Sequence, residues 1–162
     1  MPYDLSKPLV IGISSRALFN LEEENRIFEQ QGVKAYEEYQ IQHEKDILQK
    51  GAAFPLIKAF LNLNNKDQGR LVEVIIMSRN NPNTSLRIFN SIAHYGLGIT
   101  RAALTSGAEI APYLNAFKTD LFLSANAQDV QAAINSGIAA GRILTGAAHA
   151  DSKRKVDQIR IA

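Results

Sequence analysis

The sequence predicts a three-layer α/β fold, a mostly parallel sheet with helices on both faces. Three observations carry that expectation. Short β-branched runs alternate with longer helical stretches. The two clearest runs, Leu9-Val10-Ile11-Gly12-Ile13 and Leu71 to Met77 (LVEVIIM), are almost wholly apolar, as strands covered on both faces are. Each run stops in a polar loop leading toward a helix, which is what parallel neighbours joined by right-handed crossovers require. A chain of 162 residues has room for one such domain, burying roughly 70% of its unfolded surface.

Strand one, Leu9 to Ile13, ends at Ser14-Ser15-Arg16. From Leu21 to about Lys50 the chain is rich in Glu, Gln and Lys, with Ile27, Ala35, Tyr36, Tyr39 and Ile41 at helical spacing and Gly32 as a break. A helical excursion over about 21–67 is expected, because Pro55 opens a further helix bearing Leu56, Ile57, Phe60, Leu61 and Leu63 before the turn cluster Asn64-Asn65-Lys66-Asp67. The second strand, Leu71 to Met77, runs into Ser78-Arg79-Asn80-Asn81. There Asn81 as N-cap and Pro82 in the first turn start a helix carrying Leu86, Ile88, Phe89, Ile92 and Ala93. Ile99 to Thr105 reads as a third strand, 109–118 as a helix, and Leu121-Phe122-Leu123 as a fourth strand closing on Ser124-Ala125-Asn126. Gln128 to Ala140 reads as a helix ended by Gly141, Arg142-Ile143-Leu144 as a fifth strand, 145–155 as a loop, and Val156 to Ala162 as one more strand.

Composition excludes several classes of function. The 46% hydrophobic and 21% charged fractions are those of a globular chain, not a disordered or collagenous one. Eighteen Lys and Arg against sixteen Asp and Glu give +2, too slight a surplus to argue for nucleic acid or an anionic membrane, and part of it is the single cluster Lys153-Arg154-Lys155. Without cysteine there is no disulfide, thiolate metal site or cysteine nucleophile. The N-terminus lacks the apolar stretch of a signal peptide, and the longest apolar runs are about five residues against the ~20 that span a bilayer. A soluble, cytoplasmic protein is expected.

In this fold class ligands sit at the carboxyl ends of the strands, so the loops that matter are 14–19, 78–82, 105–110 and 124–127. No Gly-x-Gly-x-x-Gly or Gly-Lys-Ser/Thr phosphate cradle is present, and Ser14 and Ser15 lie outside a Gly-x-Ser-x-Gly elbow. His43, His94 and His149 have no second ligand at metal spacing, which reads as surface or helix-capping histidine. Strand one contributes Ser14, Ser15 and Arg16, and strand two Ser78, Arg79 and Asn80. Hydroxyls, an arginine fork and helix-end N–H groups together suit an anion such as phosphate. The alternative reading makes the serines loop and capping residues and pairs the arginines with local acids. Glu22-Glu23-Glu24 reads as a solvated helix start.

Leu9 to Phe19 (LVIGISSRALF), Gly51-Ala52-Ala53-Phe54-Pro55 and Ile76-Met77-Ser78-Arg79-Asn80-Asn81 resemble the cytosolic 5′-nucleotidase type I family, as do Asn90 to Leu97, Tyr113-Leu114-x-Ala116-Phe117, Leu121 to Ala125 and Gly137 to Ala140. The match runs in order from about residue 8 to the C-terminus. The resemblance implies a Rossmann-like (haloacid dehalogenase-like) scaffold and Mg²⁺-dependent removal of phosphate from nucleoside 5′-monophosphates, AMP in particular, by an Asp-x-Asp nucleophile. Family members are longer, and their Asp-x-Asp follows a strand resembling Gln158 to Ala162, so this chain is expected to end just before the nucleophile. Laid on this half, the superfamily pattern puts Ser14-Ser15-Arg16 where Asp-x-Asp belongs, Ile110 in place of the lysine and Ser124-Ala125 in place of the acidic pair. Ser78 alone keeps its chemistry. Arg16 standing for an acid inverts the local charge, so a phosphate would be welcome and a metal repelled.

The resemblance therefore implies that residues 1–162 are a single α/β domain like the non-catalytic N-terminal half of such a nucleotidase. It would have no catalytic or metal-binding residue of its own, Mg²⁺ being needed only by the full-length enzyme. Its partners would be a nucleoside monophosphate and the C-terminal catalytic half. Two rivals stand beside this: a stand-alone nucleotide- or phosphate-binding pseudo-phosphatase, and a purely structural half whose sheet edge at 156–162 makes it a homo-oligomer when alone.

Overall fold

The computed structural model describes residues 8–64 and 69–145. Its five strands, β1 (Leu9–Ile13), β2 (Val72–Ser78), β3 (Arg101–Leu104), β4 (Leu121–Ser124) and β5 (Ala139–Arg142), form one sheet in the order β3-β2-β1-β4-β5. Every neighbouring pair is parallel, with Ile11 opposite both Val74 and Leu121. The helices are α1 (Ser15–Leu18), α2 (Glu22–Gln42), α3 (Phe54–Asn62), α4 (Pro82–His94), α5 (Ala111–Ala116) and α6 (Ala127–Asn135).

The apolar runs become central strands because both of their faces are covered. On one face Ile11, Ile13, Val72, Val74 and Ile76 pack with Leu18, Ile57, Phe60, Ile88 and Ile92 from α1, α3 and α4. On the other, Val10, Ile75, Met77 and Phe122 pack with Ile110, Leu114 and Ala133 from α5 and α6. Side chains on a strand alternate between faces, so one continuous hydrophobic run serves both cores. This is the three-layer, Rossmann-like arrangement that the sequence predicts. Glu73 is the exception within β2: it is fully buried and held by Arg101 at 2.6 Å.

Several boundaries depart from expectation. The first helix of the 21–67 excursion ends at Gln42 and not near Lys50, while the second starts at Phe54, beside the expected Pro55. The third strand is only Arg101–Leu104. Helix α6 stops at Asn135, not Ala140, because Gly137 takes a left-handed φ of 79° and closes the helix with Ile138 N–H donating to the Ala133 carbonyl at 3.0 Å. The chain is then free to extend, so the fifth strand is Ala139–Arg142 and not 142–144. Gly141 serves packing: a Cβ there would stand 3.3 Å from Leu123 Cδ2. The expected strand 156–162, the basic cluster 153–155 and His149 lie outside the described residues.

Candidate functional site

The strand order reverses between β1 and β4, and the polar groups gather at the carboxyl ends of the strands around that point. Ser14, the N-cap of α1, accepts hydrogen bonds at Oγ from Ala17 N–H at 3.3 Å and Ala125 N–H at 3.2 Å. Ser15 is buried with its hydroxyl 3.3 Å from that of Ser78. The ends of β2 and β4 use one device twice: Ser78 Oγ accepts from Asn80 N–H and Ser124 Oγ from Asn126 N–H, at 3.2 and 3.1 Å. Asn81 and Asn126 then cap α4 and α6.

Both arginines have acidic partners. Arg16 grips Glu22 through Nε and Nη2, each at 3.0 Å, and this grip holds the Glu22 carboxyl below its usual range despite partial burial. Arg79 donates from Nε and Nη2 to Asp129, which raises the guanidinium above its ordinary pKa. The Arg16 charge at the end of β1 is therefore compensated by Glu22 and does not invert the local charge.

These groups form part of the lining of a cavity of about 510 Å³. Its polar side includes Ser15, Arg16, Arg79, Asn80, Asn81 and Asn126, and its apolar side comes from Leu21, Phe28, Val33 and Tyr36 on and before α2. Of the expected six residues, Ser15, Arg16, Arg79 and Asn80 line it, while Ser14 and Ser78 support the loops beneath. Helix α2 stands over the strand ends because Gly32, at φ 85° and ψ −177°, breaks it in the middle. Its first half is held by Glu24, which is buried and bonded to Arg87 Nη1 at 2.5 Å. Its second half is held by the Tyr36 hydroxyl, which donates to Asn80 Oδ1 at 3.0 Å and accepts from Gln40 Nε2 at 3.1 Å. Burial pushes the Tyr36 pKa up, so the hydroxyl stays protonated as that donor. Asn80 Nδ2 is buried and has no hydrogen-bond partner among the described residues.

A model of the 5′-nucleotidase family matches residues 1–162. The chain belongs to the 5′-nucleotidase family. It is 37% identical over 157 residues to human cytosolic 5′-nucleotidase 1B, a match that covers 91% of this chain and 26% of that protein. The chain thus spans about a quarter of the length of this relative. No solved structure matches it significantly.

Metal dependence is general in the 5′-nucleotidase family, and the donors here do not suit a hard divalent cation. The carboxylates around the cavity are already engaged by nitrogen donors: Glu22 by Arg16, Glu24 by Arg87, Glu37 by Asn81 and Asp129 by Arg79. Among the described residues no three His, Asp or Glu side chains cluster as metal ligands would. His43 caps the C-terminus of α2, bonded at Nδ1 to the Tyr39 carbonyl at 2.8 Å and stacked on the Tyr39 ring. Among the described residues no helix is long and apolar enough to cross a membrane.

Sequence reasoning missed Tyr36 and the Glu24–Arg87 pair, and it reached Asn126 only as part of the loop 124–127 and Asp129 only as an acid near a helix end. Tyr36 reads as one more apolar position of an amphipathic helix, and Glu24 as a solvated acid, yet Glu24 is only 4% exposed. Asn126 is the exception with a usable signal, because Ser124-x-Asn126 repeats the Ser78-x-Asn80 spacing at a second strand end.

Proposed function

We propose that residues 1–162 form a single α/β domain, the non-catalytic N-terminal half of a cytoplasmic 5′-nucleotidase that hydrolyses nucleoside 5′-monophosphates of the AMP type to nucleoside and phosphate. The catalytic groups and Mg²⁺ belong to a C-terminal half of the same protein. This half supplies scaffold and a nucleotide or phosphate subsite formed by Ser14, Ser15, Arg16, Ser78, Arg79 and Asn80. The observation that carries the reading is the state of the β1 end. Ser14 Oγ accepts from two backbone amides and Arg16 is paired with Glu22, which supports reading this strand end as a structural corner without Asp-x-Asp chemistry.

The test is phosphate release from AMP with Mg²⁺ by the purified chain, with its mass verified. No release above background is expected. Release that survives purification and is abolished by Asp129→Asn would overturn the reading, since the acids of this half would then be the site. A second reading, a stand-alone nucleotide-binding pseudo-phosphatase, draws support from a cavity lined by this chain's own residues. Both readings expect AMP to stabilise the isolated chain thermally; a module that acts alone binds AMP equally well with and without a C-terminal half.

A further inference from the structure

The cavity is asymmetric in a way that a phosphate subsite does not require. One side is apolar and aromatic: Phe28 and Val33 are 46% and 57% exposed, and the Phe28 and Tyr36 rings meet edge to face at 6.0 Å. Large apolar side chains left this open on a cavity wall offer area to a flat, apolar ligand face. The opposite side is rich in uncharged hydrogen-bonding groups, Ser15, Asn80, Asn81 and Asn126. Of the charged groups, Arg16 is paired with Glu22, Arg79 with Asp129 and Glu24 with Arg87, while the Glu37 carboxylate accepts from the Asn81 amide. An anion alone would have to compete with carboxylates for both guanidinium groups, whereas an uncharged planar ring would not.

The Asn80 side chain sharpens this. Its Oδ1 is taken by Tyr36, and its Nδ2 is a buried donor without a partner among the described residues, in a residue that lines the cavity. A buried donor left unpaired is costly, and a ligand acceptor would relieve it. Tyr36 fixes the amide and lends its ring to the apolar wall.

We infer that this cavity holds the heterocyclic base of a nucleoside or nucleoside monophosphate, the ring lying against Phe28 and Tyr36 and a ring acceptor taking the Asn80 Nδ2 hydrogen. The inference rests on the nucleotide subsite proposed above and assigns its specificity to α2 and Asn80, leaving Arg16 and Arg79 for any phosphate the ligand carries.

The experiment is calorimetric titration of the 162-residue chain with three probes: adenosine, AMP and inorganic phosphate. Adenosine and AMP are expected to bind, and phosphate much more weakly. Phe28→Ala should weaken both ring-bearing probes roughly five- to a hundredfold, the range of base stacking on an aromatic side chain, with Phe28→Tyr restoring them. Asn80→Asp, which removes the donor, should weaken both by tenfold or more. Because Phe28 is half exposed, its replacement leaves the fold intact, which a thermal melt verifies. Phosphate and AMP binding equally, with adenosine silent and Phe28→Ala without effect, would overturn the base assignment while keeping a phosphate subsite. Failure of all three probes would overturn the subsite itself.

Discussion

Ser14 Oγ accepts the backbone N–H of Ala125 at 3.2 Å, tying the end of β1 to the loop after β4 across the point where the strand order reverses. The same oxygen caps α1 through Ala17 N–H. One hydroxyl thus joins the ends of two adjacent interior strands beneath the cavity.

Ser14→Ala takes the acceptor from the Ala125 amide, while Ala17 N–H keeps the Ser14 carbonyl at 3.1 Å, and because Ser14 is only half-buried, water recovers part of the loss. The expected cost is about 1–2 kcal/mol, read as a lower urea midpoint at unchanged slope. Ser14→Thr, which keeps the hydroxyl, should stay near wild type. Equal loss in both variants would mean that packing, not the hydrogen bonds, holds this corner.

Glu24 and Arg87 form a buried pair, with Arg87 Nε also donating to the Asp46 carbonyl at 2.8 Å. Removing one partner strands the other charge, so Glu24→Ala is expected to cost about 3–5 kcal/mol. The double replacement Glu24→Leu with Arg87→Met removes both charges together and should recover most of that loss. A double-mutant cycle in denaturant measures it. A double variant as unstable as the single one would show that loss of the pair itself, and not the stranded Arg87 charge, accounts for the cost.

Local signals made most of the scaffold legible in the sequence. Continuous apolar runs announce strands buried on both faces, and Asn81 before Pro82 announces the start of α4 from side-chain chemistry alone. The end of α6 is not legible in the sequence because Gly137 and Gly141 compete as terminators, and only the backbone reveals that Gly137 takes the left-handed conformation. The site was half legible. Strand-end serines and arginines follow from the fold class, but their partners lie far off in the chain: Asp129 is 50 residues from Arg79, and Glu24 is 63 from Arg87. Pairings at such separation are set by tertiary packing, which periodicity does not encode.

The Arg16–Glu22 pair makes a signed prediction for pH. The hydrogen bond from Arg16 lowers the Glu22 pKa from its ordinary 4.5, burial opposes this, and a hydrogen bond from Thr145 assists it. A group whose folded pKa is depressed stabilises the fold above its unfolded value and loses that contribution as pH falls through the folded one. The contribution is therefore present at pH 7 and lost progressively below 4.5. With side-chain exposures of 35% and 42%, solvent limits it to under about 1 kcal/mol. Denaturation at pH 7 and pH 3 should show Arg16→Ala less stable than wild type at the higher pH and nearly equal at the lower. A gap that persists at pH 3 would mean that the side-chain stem, not the charge, matters.

Gly32 is the position where sequence, backbone and cavity meet. Its φ of 85° and ψ of −177° belong to a region that side chains avoid, and a Cβ there would meet nothing within 4 Å, so any cost of Gly32→Ala is purely conformational. Alanine also favours an uninterrupted helix by about 1 kcal/mol. The two effects together press α2 to straighten, but each half is pinned: the first by Glu24 on Arg87, the second by Tyr36 on Asn80 and Glu37 on Asn81. Straightening would have to break one of these anchors and move Phe28 away from Tyr36. Gly32→Ala is accordingly expected to lower stability by about 1–3 kcal/mol and to weaken adenosine binding, while leaving any phosphate binding at Arg79 nearly unchanged. Thermal melts and the same titrations measure both effects. A stabilised variant with unaltered adenosine affinity would show that the break in α2 is not what shapes the apolar wall.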